Sequence, residues 1–370
     1  MVKKMSESME LRRARRSSNI RSILRLGKSS YVITLPHDWL RMMNLKRGDR
    51  ILLVTNQDGS LALYPMSSQV APEISLVLEV NSDQIKEPSL LDRILVAAYL
   101  EGIKRVIFKT TNPSDERFER LRKLSNKLIN TTYRERSGAL EFEFRPHFDT
   151  DFTNLVVRLS ASLLSMVAYI KRAVVGQPEF LKHIETMEND VDRDYWWALR
   201  ILVASQINRS LALNLGFKNP THIIGNRAII RALELAGDYV YEIAMDLKNM
   251  VQEKFEIPDD IKDRLADAID KCEDIISHSI YALHASDPLR ANENLNEVGQ
   301  LRDALRSLCF EYAESITNMK LLVYLVRITS KLADVIESVS TLNEVIINRC
   351  MGSEDTVNRF KHVELRKQAL

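Results

Sequence analysis

The sequence predicts a multidomain chain: a small β-rich head, a small mixed α/β middle domain, and an all-α C-terminal half of two three-helix bundles in tandem. Three observations carry this. Short β-branched and aromatic runs fill residues 20–66, strand-like and helix-like segments alternate over 67–150, and an apolar period of about 3.6 residues dominates 151–350. Charge divides the chain in the same way, with net +9 over residues 1–50, −1 over 51–150 and −6 over 151–370. A basic head attracts polyanions, and an acidic body can hold cations.

Composition bounds the rest. At 45% hydrophobic and 28% charged, with 11 Gly and 10 Pro in 370 residues, the chain is neither disordered nor collagen-like. No run of 18 residues lacks charges, so no membrane insertion is expected. The charged N-terminus has no apolar signal core, and the expected location is the cytoplasm. Cys272, Cys309 and Cys350 form no CxxC pair, which argues against a disulfide framework or a zinc knuckle.

Residues 1–19 read as a basic flexible arm carrying Arg12, Arg13, Arg15 and Arg16, either solvated or lying on nucleic-acid phosphates. Residues 20–66 read as strand, turn, strand, helix, strand, turn, strand, with Gly27-Lys28-Ser29-Ser30 and Asn56-Gln57-Asp58-Gly59 as the turns. Pro36 opens the helix HDWLRMMNL. A unit this small buries little surface alone, which predicts pairing with a second copy. Residues 67–150 hold two strands (ISLVLEV, KRVIFKT), two helices and a hairpin around Ser137-Gly138. Ser89 is the expected N-cap of the first helix, with Gly102 near its end; Ser114 or Asp115 caps the second. Six helical segments follow, at about 152–174, 179–215, 221–255, 259–286, 288–318 and 320–350. Pro178, Lys218-Asn219-Pro220, Pro258 and Asp287-Pro288 separate them. They give one repeat over 151–256, a second over 257–352, and a tail at 353–370.

An internal duplication shows in two places. Glu188 to Asp194 matches Glu297 to Asp303, and Arg231-Ala-Leu-Glu234-Leu-Ala-Gly-Asp238 matches Arg327-Ile-Thr-Ser330-Lys-Leu-Ala-Asp334. In the first copy Glu185, Glu188 and Asp192 share one helix face, and Glu234, Asp238 and Glu242 share another. If the faces meet, the carboxylates repel unless a cation or arginine joins them. Carboxylate oxygens suit hard ions such as Mg²⁺, Mn²⁺ or ferric iron. The alternative is solvated faces paired through Arg193, Arg227 and Arg231. The second copy has Leu301 for Asp192 and Ser330 for Glu234, which leaves a degenerate site of Glu297 and Asp334. No HExxH, GxGxxG, P-loop or nucleophile elbow occurs, so the chain reads as a non-enzyme, with a metal-dependent hydrolase as a minor alternative.

Two resemblances sharpen this reading. GKSSYVITLPHDWLRMMNLKRGDRILL resembles the AbrB/SpoVT family of swapped-hairpin DNA-binding domains. That likeness implies an intertwined homodimer, with Arg21, Arg25, Lys28 and Arg41 facing DNA. The string R-x-x-E-x-x-G-D at 231–238, on a duplicated six-helix body, resembles the PhoU phosphate-uptake regulators. That likeness implies two three-helix bundles and a metal site, here Mg, Mn, Fe or Zn, on the first-copy carboxylates. AbrB-like head and PhoU-like body together resemble an archaeal class of phosphate-uptake regulators. The function so implied is a metal-binding, DNA-binding regulator of phosphate homeostasis. The alternative is an adaptor for a phosphate transporter ATPase or a signalling kinase, with a head that only dimerises.

Overall fold

The computed structural model describes residues 20–55, 59–66, 76–112, 116–136, 138–145, 151–217 and 219–352. The basic arm with Arg12, Arg13, Arg15 and Arg16, the candidate caps Ser114 and Asp115, and the tail from 353 lie outside them. The chain divides into two compact units, Met1–Ile74 and Ser75–Leu370.

In the first unit, β1 (Leu24–Leu26) and β2 (Ser30–Val32) form an antiparallel hairpin, as do β3 (Ile51–Thr55) and β4 (Leu61–Pro65). Helix α1 (His37–Met42) lies between them in sequence and starts behind Pro36. Gly27, at φ 69°, turns the first hairpin. The Leu45-to-Asp49 turn closes through the Asp49 carboxylate, which accepts the Lys46 N–H at 2.7 Å, with Gly48 at φ 97°. None of the described residues of this unit is buried within the chain. Leu24, Leu26, Tyr31, Leu53 and Leu61 are all more than half exposed.

The second unit begins with a four-stranded mixed sheet in the order β5-β6-β8-β7, formed by β5 (Val77–Asn81), β6 (Arg105–Lys109), β7 (Thr131–Arg136) and β8 (Ala139–Phe144). β5 and β6 are parallel, joined by α2 (Pro88–Leu100); α3 (Glu116–Lys127) leads from β6 into the β7–β8 hairpin. One sheet face is apolar: Val106, Phe108, Leu140, Phe142 and Phe144 pack with Leu91, Leu95, Phe118 and Leu121 of the helices. Across the strands, Glu141 is paired with Arg105 at 3.1 Å and Arg136 at 3.3 Å. Ser89 does not cap α2. Pro88 takes the first helical position, where a missing N–H costs nothing, and Ser89 Oγ instead donates to Glu87 at 3.1 Å.

The helical part comprises α4 (Phe152–Val174), α5 (Ile184–Ile207), the short α6 (Arg209–Asn214), α7 (Thr221–Gln252), α8 (Asp259–Ala285), α9 (Pro288–Ser315) and α10 (Met319–Met351). Helices α4, α5 and α7 form one bundle and α8, α9 and α10 a second, with α7 against α10 along the seam. Both motif pairs of the duplication fall on equivalent helices, α5 with α9 and α7 with α10. The segment expected as one helix over 179–215 is broken twice. Pro178–His183 winds as a 3₁₀ turn, and Asn208 leaves the helix at φ −111° so that its side chain can cap α6 at Leu211. Asp151, Asp287 and Asn318 cap α4, α9 and α10 through their side chains.

Among the described residues, α4 is the one helix long and apolar enough to cross a membrane. Its Leu155, Leu159, Leu163, Met166 and Ile170 are buried against the other helices, as in the core helix of a bundle. Cys272 and Cys350 are buried and Cys309 half-buried. Trp197 is buried, and Trp196 is partly buried against the same core.

The α/β layer is fixed to the first bundle by Arg200 of α5. Its guanidinium donates to the Tyr99 carbonyl and lies 4.7 Å from the Tyr99 ring centroid and 5.6 Å from that of Phe144. Arg200 is 3% exposed, so truncation removes a cation–π contact and a charge-assisted hydrogen bond. Arg200→Ala is expected to cost about 2–4 kcal/mol of stability by chemical denaturation. A cost within error of zero would show the layer is held without it.

Candidate metal centre

The site is built from two helices that pass close to each other. On α5, Glu188 and Asp192 are one turn apart and face the same way. On α7, Glu234, Asp238 and Glu242 repeat every four residues. Gly237 faces the Val191 side chain: a Cβ at 237 would stand 3.4 Å from Val191 Cγ1, so the missing side chain lets Val191 pack directly on the α7 backbone. The residues after each, Asp192 and Asp238, are thereby brought together. One oxygen each from Glu188, Asp192 and Asp238 lies within 4.8 Å of the others. All three residues are partly buried.

Electrostatics mark the same place. Burial raises the Glu188 carboxyl above its usual range, and Asp192, Asp238 and Glu185 add to this against the pull of Lys127. Asp192 is raised by burial and lowered by Lys127. Asp238 is raised by burial and by Asp192, with Arg231 opposing. Glu234 is pushed up to about 7 by burial and by Asp238 and Asp192, against Arg231.

The six expected first-copy carboxylates therefore divide. Glu188, Asp192 and Asp238 converge. Glu234, beside them, is ion-paired with Arg231 one turn earlier on its own helix. Glu242 reaches across the seam to Lys331 at 2.8 Å. Glu185 acts on Glu188 through its charge and is not one of the three. Arg193, an expected partner of the cluster, pairs with Asp190 at 3.0 Å. In the second copy Leu301 is buried in place of Asp192. Glu297 lies 3.4 Å from His278 Nδ1, and Asp334 lies 3.7 Å from Lys331 Nζ.

Sequence reasoning missed three charged groups here: Lys127, Arg200 and the buried Asp246, which Arg327 meets at 3.0 Å across the seam. Each depends on a packing of distant segments, and no local spacing signals it.

In the head, Arg21, Arg25 and Lys28 lie on and beside β1, fully on the surface. Arg25 donates to the Lys28 carbonyl at 2.7 Å and so stiffens the turn. Arg41 bonds His37 Nδ1 at 3.0 Å and stands 3.4 Å from Asp38, whose charge offsets its own.

Residues 24–70 match the family model described as Antidote-toxin recognition MazE, bacterial antitoxin. The head is MazE/AbrB-like. No curated protein matches the chain. Among solved structures, the crystal structure of PhoU from Pseudomonas aeruginosa is similar at 13% identity and a TM-score of 0.47, over 55% of this chain and 97% of that one. The tandem three-helix arrangement itself rests on the packing described above.

A pH dependence follows from the acid cluster. A carboxylate raised in the folded state holds its proton more tightly there than in the unfolded chain. Its stabilisation is complete below its usual value and is lost as the pH rises through the raised one. For Glu234 that window runs from 4.5 to about 7. Metal-free protein is expected to lose melting temperature across that window, by an amount equivalent to about 1 kcal/mol after solvent screening. Glu234→Gln should flatten the slope. An unchanged slope in that variant would place the titration elsewhere.

Proposed function

We propose that this chain is a DNA-binding regulator of phosphate uptake, with a metal-binding helical body. The observation that carries the metal reading is the convergence of Glu188, Asp192 and Asp238 from two helices. Three partly buried carboxylates, with the Lys127 ammonium beside Asp192, match the chemistry of a hard divalent or ferric ion, and an all-oxygen set favours Mg²⁺ or Mn²⁺ over Zn²⁺. Glu188 and Asp192 would hold the ion from α5 and Asp238 from α7. Bound there, it would neutralise the cluster and tie the two helices.

DNA binding is supported by the MazE/AbrB-like head and by the exposed Arg21, Arg25 and Lys28. The phosphate role rests on the likeness of residues 231–238 to the PhoU signature. The head functions as a homodimer in this reading, and the chain acts without catalysis of its own.

The test is DNA binding of the full chain across a salt series. Each phosphate contact contributes a slope of about −0.9 in log affinity against log salt. Changing Arg21, Arg25 and Lys28 together to Ala should weaken binding and flatten the slope by up to about 3. Unchanged affinity in the triple variant would remove DNA from the head and favour the adaptor alternative.

A further inference from the structure

The α/β layer reaches the acidic cluster through one side chain. Helix α3 ends at Lys127, and its ammonium lies 3.7 Å from Asp192 Oδ2. The same charge acts on Glu188. The other cations nearby have partners of their own: Arg231 pairs with Glu234, and Lys331 with Glu242 and Asp334. Lys127 is therefore a cation delivered to the cluster from a different layer of the fold. Arg200, two turns along α5 from Asp192, anchors that layer independently through Tyr99 and Phe144.

We propose that Lys127 is a tethered counter-ion that competes with a hard divalent cation for the Glu188–Asp192–Asp238 cluster, so that metal loading and the docking of α3 on α5 are linked. This rests on the metal reading above. The ammonium offsets part of the mutual repulsion of the three carboxylates. A divalent ion offsets more of it and repels the ammonium, so the two cations exclude each other. Linkage is reciprocal: whatever docking contributes against metal binding, metal binding contributes against docking. The outcome is a release of the last turn of α3 and of the Leu128–Asn130 segment that leads into β7. Through this contact the α/β layer acquires a role, as the element that reads the metal state of the first bundle.

Full-length protein tests this with Mn²⁺ as the probe. Calorimetric titration and hydrogen exchange are compared for the wild type, Lys127→Met and Lys127→Arg. Lys127→Met keeps the bulk of the stem and should bind Mn²⁺ at least about fivefold more tightly than the wild type, with Lys127→Arg close to the wild type. In the wild type, exchange over the last turn of α3 should rise on adding Mn²⁺; in Lys127→Met it should be high already and unresponsive. Mn²⁺ binding with equal affinity and equal α3 exchange in all three proteins would overturn the competition while leaving the metal site standing. Failure of both the wild type and Lys127→Met to bind Mn²⁺ would overturn both. Binding by Lys127→Met alone would be the strongest form of the expected result.

Discussion

Changing Asp192 and Asp238 together to Asn should abolish the rise in melting temperature that divalent metal gives the wild type. The matched change in the second bundle, Glu297→Gln with Asp334→Asn, should leave the rise in place. Metal at 100 times its dissociation constant stabilises a folded protein by about 2.7 kcal/mol, which for a body of this size is roughly 5–10 °C. The contrast follows from the geometry. In the first bundle three oxygens lie within 4.8 Å of one another. In the second, Leu301 is core, and the two remaining acids are engaged with His278 and Lys331. A further sign separates this from simple damage to the fold. Without metal, the Asp192/Asp238 variant should be at least as stable as the wild type, because two repelling charges are gone. Equal loss of the rise in both double variants would show that the second bundle also holds metal. A variant that is simply unstable without metal would show that the carboxylates hold the fold by themselves.

The second large effect concerns the head. Its described residues include none buried within the chain, yet Leu24, Leu26, Tyr31, Leu53 and Leu61 are apolar and more than half exposed. Burial of each such side chain contributes about 1.5–3 kcal/mol, so a lone copy has too little core to stay folded. An open groove of about 470 Å³ in the same unit is lined by Leu35, Pro36, Asp38, Trp39, Met42 and Leu63. A second copy of the head is the expected cover. The full-length protein is expected to sediment as a dimer, and Leu26→Asp with Leu53→Asp should make it monomeric in sedimentation velocity and abolish amide protection over β1 to β4. The wild type should lose that protection on dilution. A wild-type head that keeps full amide protection in a monomeric chain would overturn the pairing.

Much of this was legible in the sequence, for reasons that lie in particular residues. Pro178, Pro258 and Pro288 each stand at the start of the next helical element, where a missing N–H costs nothing, so they mark breaks in the helical pattern; the helices before them end earlier, ahead of Gly176, Lys254 and Ser286 at positive φ. Spacing placed Glu188 with Asp192 and put Asp238 on a shared stripe with Glu234 and Glu242. It did not say which member of that stripe faces α5. That choice follows from the Gly237–Val191 approach, which leaves Glu234 to Arg231 and Glu242 to the opposite bundle. The Asn208 break was missed because apolar residues continue in register through it, and a single side-chain cap decides it. Lys127 was invisible because a lysine at the end of a charged helix is ordinary, and only the packing of α3 on α5 gives it a partner.

In the proposed function one chain couples a DNA-binding head to a metal-binding body. The most direct measurement is the DNA affinity of the full-length protein at fixed salt, once with chelator and once with saturating Mn²⁺. Binding is expected in both states, weakening steeply as salt rises, with affinities that differ by at least about fivefold. An absence of DNA binding in both states, or affinities identical with and without metal, would contradict it.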